Sequence, residues 1–356
     1  GVVQVNTRSG LDLDRGSWTA GVLMSAGSFS AGETSVDFGA HTGRFGILGV
    51  VSGNTTRRFL DPPTIANLHN FGRSARGFLR LDWQKDSNKL LKATLLLGGT
   101  NFQVPNRAEQ HLAGQQQRQQ LRDNTEMVSW QHIFNLRWLA SLSAYHRYST
   151  AHLTGNERTA PVLAFQSRAV RTMGSVGAVS YAVEKHKVKF GYQVTGSSLK
   201  ESFEFGVTAP EAFPALLEAS GRQVPNPILR YTPAAPFRFR GRDTQTFVSL
   251  YVQDHFNLTE RLPLDLGLRW DHYRLLLSAD EVSPRVGLAC QLPGRRTVLR
   301  ASYNRLFQPP PIENILLASS REAAAISPLV VLHGEAGFRL VRPDKQHVFE
   351  GGLQQQ

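Results

Sequence analysis

Hydrophobic and polar residues alternate along most of this chain. Between Pro263 and Tyr273, Leu264, Leu266, Leu268 and Trp270 project to one side, and Asp265, Gly267, Arg269 and Asp271 to the other. That two-residue period belongs to a strand separating two environments. Val286, Leu288, Cys290 and Leu292 repeat the design against Arg285, Gly287, Ala289 and Gln291. Val188, Phe190, Tyr192 and Val194 do so against Lys187, Lys189, Gly191, Gln193 and Thr195. Ala75, Gly77, Leu79, Leu81 and Trp83 stand likewise against Arg76, Phe78, Arg80, Asp82 and Gln84. Helical periodicity is scarce, and its best example, 313–325, follows Pro309-Pro310-Pro311. The pattern predicts an all-β chain of fourteen strands, at 17–28, 34–41, 45–54, 74–84, 90–100, 126–134, 138–149, 172–183, 188–199, 244–256, 263–274, 284–292, 297–304 and 347–356.

The connections alternate in length. Tight turns are expected at 42–44, 85–89, 135–137, 184–187, 257–262 and 293–296, and longer loops over 55–73, 101–125, 150–171, 200–243 and 305–346. Compact soluble domains seldom need so many long loops, whereas a transmembrane barrel has short turns at one rim and long loops at the other. A soluble β-sandwich or solenoid shares the alternation. Two features favour the barrel over it. Several strands exceed the usual five or six residues, and Arg80, Asp82, Asp265, Arg269, Asp271 and Arg300 fall in mid-strand, where a barrel sets them on its wet interior wall. Trp18, Trp83, Trp138, Trp270 and Tyr303 lie on the apolar faces, several near strand ends, as the girdle of a barrel requires. In a soluble sheet they would be large core residues.

Composition narrows the classes. With 356 residues and one cysteine, Cys290, the chain has no disulfide framework or multi-cysteine metal site. No apolar run approaches the ~18 residues of a spanning helix. No signal-peptide pattern opens the chain, so a membrane or secreted protein is expected only as a processed chain or a fragment. The net charge is +12, carried by 32 Arg and 8 Lys against 28 acidic residues, which points to anionic surroundings. Arg57, Arg58 and Arg73 fall in one expected loop, and Arg230, Arg238, Arg240 and Arg242 in another, where Phe237 and Phe239 alternate with them. Such interleaving also suits base stacking. The cations follow the loops and form no single groove or helix face, however, which favours a cell-envelope setting without nucleic acid. Arg57, Arg58, Arg238, Arg240 and Arg242 are the candidate contacts to an anionic ligand or to lipopolysaccharide phosphates, since guanidinium grips either in a fork.

Searches for reaction chemistry return little. The chain has no Gly-x-Ser-x-Gly elbow, phosphate loop or His-Glu-x-x-His. His146 and His152 lack a metal-ligand spacing. Asp265 and Asp271 share a face with Arg269 between them, which suits wall ion pairing better than acid–base work. Gly39, Gly43, Gly46 and Gly49 sit within strand alternation and form no nucleotide fingerprint. Gln115 to Gln120 reads as a solvated loop. No catalytic, cofactor-binding or metal-binding residue is expected.

Several segments, taken in order, resemble TonB-dependent outer-membrane receptors. Gly1-Val2-Val3-Gln4-Val5-Asn6-Thr7-Arg8-Ser9-Gly10 is similar to the last strand of that family's plug. Tyr251-Val252-Gln253-Asp254, Asn257-Leu258-Thr259 and Gly267-Leu268-Arg269-Trp270-Asp271 resemble its mid-barrel hairpin. Ser283-Pro284-Arg285-Val286-Gly287-Leu288 and the run from Arg300 to Pro310 resemble the strand pair that follows. Arg342-Pro343-Asp344-Lys345-Gln346-His347 and Glu350-Gly351-Gly352-Leu353-Gln354 resemble the start of the next strand. The resemblance implies an antiparallel up-and-down barrel of twenty-two strands, about fourteen of them here. Residues 1–14 would end a plug domain, and 15–356 would form the N-terminal and central barrel. The family's TonB box and terminal aromatic residue have no counterpart, so a fragment is expected. The implied function is binding of a scarce extracellular small ligand or glycan and its energised import. The implied partners are outer-membrane lipid, lipopolysaccharide and, through the missing N-terminal part, TonB. A passive outer-membrane pore, or a soluble β protein that binds polyanions, remains the alternative.

Overall fold

Alternation becomes one continuous sheet in the computed structural model, which describes residues 7–217, 223–224, 226–275, 278–291, 297–307 and 346–355. The strands are β1 (Trp18–Gly27), β2 (Ala31–Thr42), β3 (Phe45–Thr56), β4 (Gly72–Asp86), β5 (Lys89–Gln103), β6 (Arg118–Ile133), β7 (Trp138–Thr154), β8 (Val162–Val183) and β9 (His186–Val207). A two-residue pair, β10 (Leu216–Leu217) and β11 (Gln223–Val224), stands apart in the next loop. Then come β12 (Phe237–Thr259), β13 (Leu262–Arg274), β14 (Ser278–Gln291), β15 (Thr297–Leu306) and β16 (Gln346–Gln355). Apart from that small pair, all strands form one 14-stranded sheet in sequence order, each antiparallel to the next. Among the described residues, β1 and β16 are paired on one side only, and the sheet is open between them.

The register carries the two environments across the sheet. Trp83, Leu91, Trp130, Leu142, Gly177, Tyr192, Leu250, Trp270 and Val282 are successive cross-strand partners from β4 to β14. One residue away, on the opposite face, the ladder reads Asp82, Lys92, Ser129, Ser143, Val176, Gln193, Ser249, Asp271 and Glu281. Side-chain direction has a period of two, so a slip of one residue would exchange the faces, and the match of apolar to apolar fixes the pairing. The apolar face is the exposed one, with Trp18, Phe38, Phe45, Val51, Leu81, Val128, Phe190, Leu250 and Leu268 uncovered. An exposed apolar band of this extent is the outer surface of a membrane barrel.

Short connections at one rim join β2 to β3, β4 to β5, β6 to β7, β8 to β9 and β12 to β13. Gly43, with φ of +57°, makes the tightest of them, in a left-handed conformation that costs glycine nothing. At the other rim the loops 57–71, 104–117, 155–161 and 208–236 are longer, and the second carries the short helix α1 (Ala108–Leu112). A buried apolar cluster of Phe205, Phe237 and Phe239, joined by Val162, Ala164, Phe203, Ile228 and Tyr231, lies at this rim on the inward face. Strand assignment by pattern falls short here. β6 starts at Arg118, β8 at Val162 and β12 at Phe237, while β9 runs to Val207, so strand takes up most of the loop expected over 150–171 and extends into both ends of those expected over 101–125 and 200–243. The expected turn at 293–296, the helix at 313–325 and residues 1–6 lie outside the described residues.

Candidate functional site

The polar face of β4 holds the start of the chain. Arg80 Nε donates to both carboxylate oxygens of Asp82, at 3.1 and 2.8 Å, and its Nη2 donates to Oδ1 at 3.0 Å. Arg80 Nη1 donates to the Thr7 carbonyl at 2.6 Å, the Thr7 hydroxyl at 2.9 Å and the Arg8 carbonyl at 3.1 Å. Ser9 Oγ donates to Asp82 Oδ2 at 2.6 Å. Asp82 is 1% exposed and Arg80 8%, so removing either partner leaves a buried charge uncompensated. Ser9 also caps a 3₁₀ turn, Gly10–Asp12, whose Asp12 carboxylate accepts from the Ser9 N–H at 2.8 Å. This turn packs on β2 and β3 so closely that a Cβ on Gly46 would sit 2.5 Å from the Leu11 nitrogen. Residues 7–13 are thereby pinned to the face opposite the apolar band.

Further ion pairs line that inner wall. Arg147 Nε donates to Asp123 at 2.9 Å, and Ser149 Oγ donates to the same oxygen at 2.7 Å. Arg269 Nε reaches both oxygens of Asp271, at 2.9 and 3.1 Å. Asp265 instead meets His255 Nδ1 at 2.7 Å, so Asp265 and Asp271 have separate partners and form no acid–base pair. A concavity of about 540 Å³ opens on the wall among Val50, Ser52, Arg76, Phe78, Thr100 and Asp123. His146 and His152 both lie on β7 and face outward; His146 Nδ1 meets Glu126 at 2.6 Å.

At the long-loop rim, side-chain amides and the His69 imidazole lace three loops together. Asn70 Nδ2 donates to the Leu60 carbonyl at 2.6 Å, and the Leu60 N–H donates back to Asn70 Oδ1 at 2.9 Å. Asn106, fully buried, donates from Nδ2 to the Gln115 carbonyl at 2.8 Å. Gln115 Oε1 accepts from the Ala160 N–H at 3.1 Å, and Asn156 Nδ2 donates to the Gly114 carbonyl at 2.9 Å. Gln115 is therefore a buried hub and not a solvated loop residue, while Arg118, Gln119 and Gln120 belong to β6. Composition concealed this, because a glutamine run gives no sign of which amide is buried. His69 Nε2 lies 3.1 Å from the Gln117 carbonyl. Burial, the largest influence, holds its pKa below the ordinary 6.5, with Arg118 and His111 acting in the same sense and the Gln117 bond opposing them.

The sequence-predicted cations occupy two places. Arg57 and Arg58 lie in the 57–71 loop, Arg58 over the Phe29 ring at 5.2 Å. Arg238, Arg240 and Arg242 are not in a loop: they sit on β12 with the parity of Val248, Leu250 and Val252, on the outward face beyond the apolar band. Arg238 meets Glu204 on β9 at 3.0 Å. Of the five aromatics, Trp18 and Trp138 open their strands and Trp83 lies four residues before the next short turn, all toward the short-turn rim. Trp138 packs on Tyr181 with ring centroids 4.3 Å apart. Trp270 and Tyr303 stand toward the opposite rim, and all five share the outward parity.

The model of a protein family, TonB dependent receptor-like beta-barrel, matches residues 62–345. No curated protein matches the sequence. Solved structures do. The copper transporter OprC aligns with a TM-score of 0.68 and 12% identity over 96% of this chain and 51% of its own. The ferric citrate transporter FecA aligns with a TM-score of 0.63 and 14% identity over 95% of this chain and 48% of its own. FpvA of P. aeruginosa, solved with ferric pyoverdine, aligns with a TM-score of 0.62 and 14% identity over 94% of this chain and 46% of its own. The chain thus spans about half the length of these structures, which share its fold.

Proposed function

The chain belongs to the TonB-dependent receptor-like β-barrel family, and from that premise we propose that it is the central wall of an outer-membrane receptor that imports a scarce extracellular ligand. In this reading residues 7–13 are the end of a plug, TonB is contacted by a segment preceding Thr7, and the long loops with the inner wall receive cargo. The short turns face the periplasm. Copper, ferric citrate and ferric pyoverdine, the cargoes named for the three aligned structures, suggest a metal or metal chelate as the class. Nothing in this account calls for covalent chemistry; transport works through differential binding and a conformational switch.

The observation that supports it best is the clamp of Arg80 and Asp82 on Thr7, Arg8 and Ser9. A passive pore has no need of chain pinned to its inner wall. Planar-bilayer conductance of the complete gene product tests the reading without knowledge of the cargo. A plugged receptor inserts without steady conductance, and deletion of everything before Asp14 opens a large channel. Steady conductance from the untouched protein would establish a passive pore.

A further inference from the structure

Beyond the apolar band, the outward face turns basic. Arg73 on β4, Arg122 on β6, Arg171 on β8, Lys200 on β9 and Arg274 on β13 all have the parity of the band and are all exposed. Each lies 12 to 15 residues along its strand from a short turn: Arg73 from Ser87, Arg122 from Phe134, Arg171 from Glu184, Lys200 from Lys185, Arg274 from Arg261. At 3.3 Å per residue and a tilt of about 40°, that is roughly 30–38 Å above the turn rim, just past an apolar band about 25 Å tall. Five strands therefore bring a cation to one height, where the outer leaflet has its headgroups.

The band of charge is densest on β8, β9 and β12, each of which has a neighbour on both sides. Lys200 and Arg242 are direct cross-strand partners, a like-charge arrangement that is unfavourable unless an anion lies between them. Neither side chain has a hydrogen bond or ion pair among the described residues, nor has that of Arg240. Arg171, diagonal to Lys200, lies over the Tyr148 ring at 5.7 Å. Immediately above, a groove of about 760 Å³ is lined by His152, Ser167, Ser202, Arg238 and Arg240, with Phe165 at its side. Among the described residues, the only carboxylate lining it is Glu204, already held by Arg238.

We propose that Lys200, Arg242, Arg240 and Arg171 bind the phosphorylated sugar head of an outer-leaflet glycolipid of lipid A type. A phosphate sits between Lys200 and Arg242, and the sugar lies against Ser167 and Ser202. The acyl chains run down the apolar face past Val194 and Val248. These cations point away from the barrel interior, so a cargo passing through the lumen does not meet them, and a lipid from the surrounding leaflet does. The proposal rests on the outer-membrane reading above.

The test is native mass spectrometry of the complete gene product in detergent, titrated with diphosphoryl lipid A, dephosphorylated lipid A and phosphatidylethanolamine. Binding of the first is expected to be weakened about tenfold to a hundredfold in K200S/R242S. The charge-matched R57S/R58S variant is expected to bind as the parent does. Inorganic phosphate at millimolar concentration is not expected to displace the lipid. Equal binding of phosphorylated and dephosphorylated lipid A, or unchanged binding by K200S/R242S, would overturn the site. Heat-modifiable gel mobility checks that each variant is a folded barrel. If the parent does not fractionate with the outer membrane, the underlying reading fails; if it does and binds no lipid A, only this site fails.

Discussion

Tyr145 and Gly174 are cross-strand partners on the inner wall, and the ring lies so flat over the glycine that a Cβ there would stand 2.4 Å from its Cζ. The ring reaches across β8 to the Thr195 hydroxyl on β9, at 3.0 Å. Tyr251 covers Gly191 in the same way. Glycine is selected at these positions by the space a ring occupies. Gly174→Ala is expected to destabilise the barrel by about 1–3 kcal/mol, the usual cost of overpacking. Denaturant unfolding followed by gel mobility measures it. Since the cost arises from one contact, it should shrink in a Tyr145→Ala background; full additivity of the two substitutions would contradict the geometry.

Strands and loops answer to different rules at the two rims. Within the band, one face meets lipid and the other water, so period-two contrast is strong, and the limits of the strand expected from 263 to 274 and the start of the one expected at 188 are legible in sequence. Above the band both faces are wet or packed on loops, and the contrast fades. Val162 to Arg171 reads as mixed residues, yet it is strand, because cross-strand hydrogen bonding continues after the hydrophobic signal ends. For the same reason Arg238, Arg240 and Arg242 looked like loop residues. The apolar face, the fourteen strands and the short turns within the described residues were legible; the amide lacing of the loops was not, since it depends on which residues meet. His69 offers a test of that lacing. Its pKa is held below 6.5 in the fold, so the unfolded loop binds the proton more readily. The ordering it contributes is complete above 6.5 and lost as pH falls from there through the depressed value. Hydrogen exchange of 66–70 and 104–117, corrected for intrinsic rates, should rise over that window and stay flat in His69→Gln. A flat profile in the parent would remove His69 from the lacing.

For the molecule as a whole, the account depends on which face meets lipid. Only a transmembrane barrel places Leu264, Leu266, Leu268 and Trp270 in hydrocarbon while Asp265, Gly267, Arg269 and Asp271 line water, and the clamp of Arg80 and Asp82 on Thr7, Arg8 and Ser9, the inner ion pairs and the outer cations all follow from that division. Single cysteines placed through β13 in a Cys290→Ser background of the complete gene product, reconstituted in lipid, read it directly. Reaction with a charged, membrane-impermeant thiol reagent should alternate, protected at 264, 266 and 268 and labelled at 265 and 267, with a lipid-soluble quencher reporting the inverse. Labelling by the aqueous reagent at every position, with no response to the lipid-soluble quencher, would contradict the account and make this a soluble sheet.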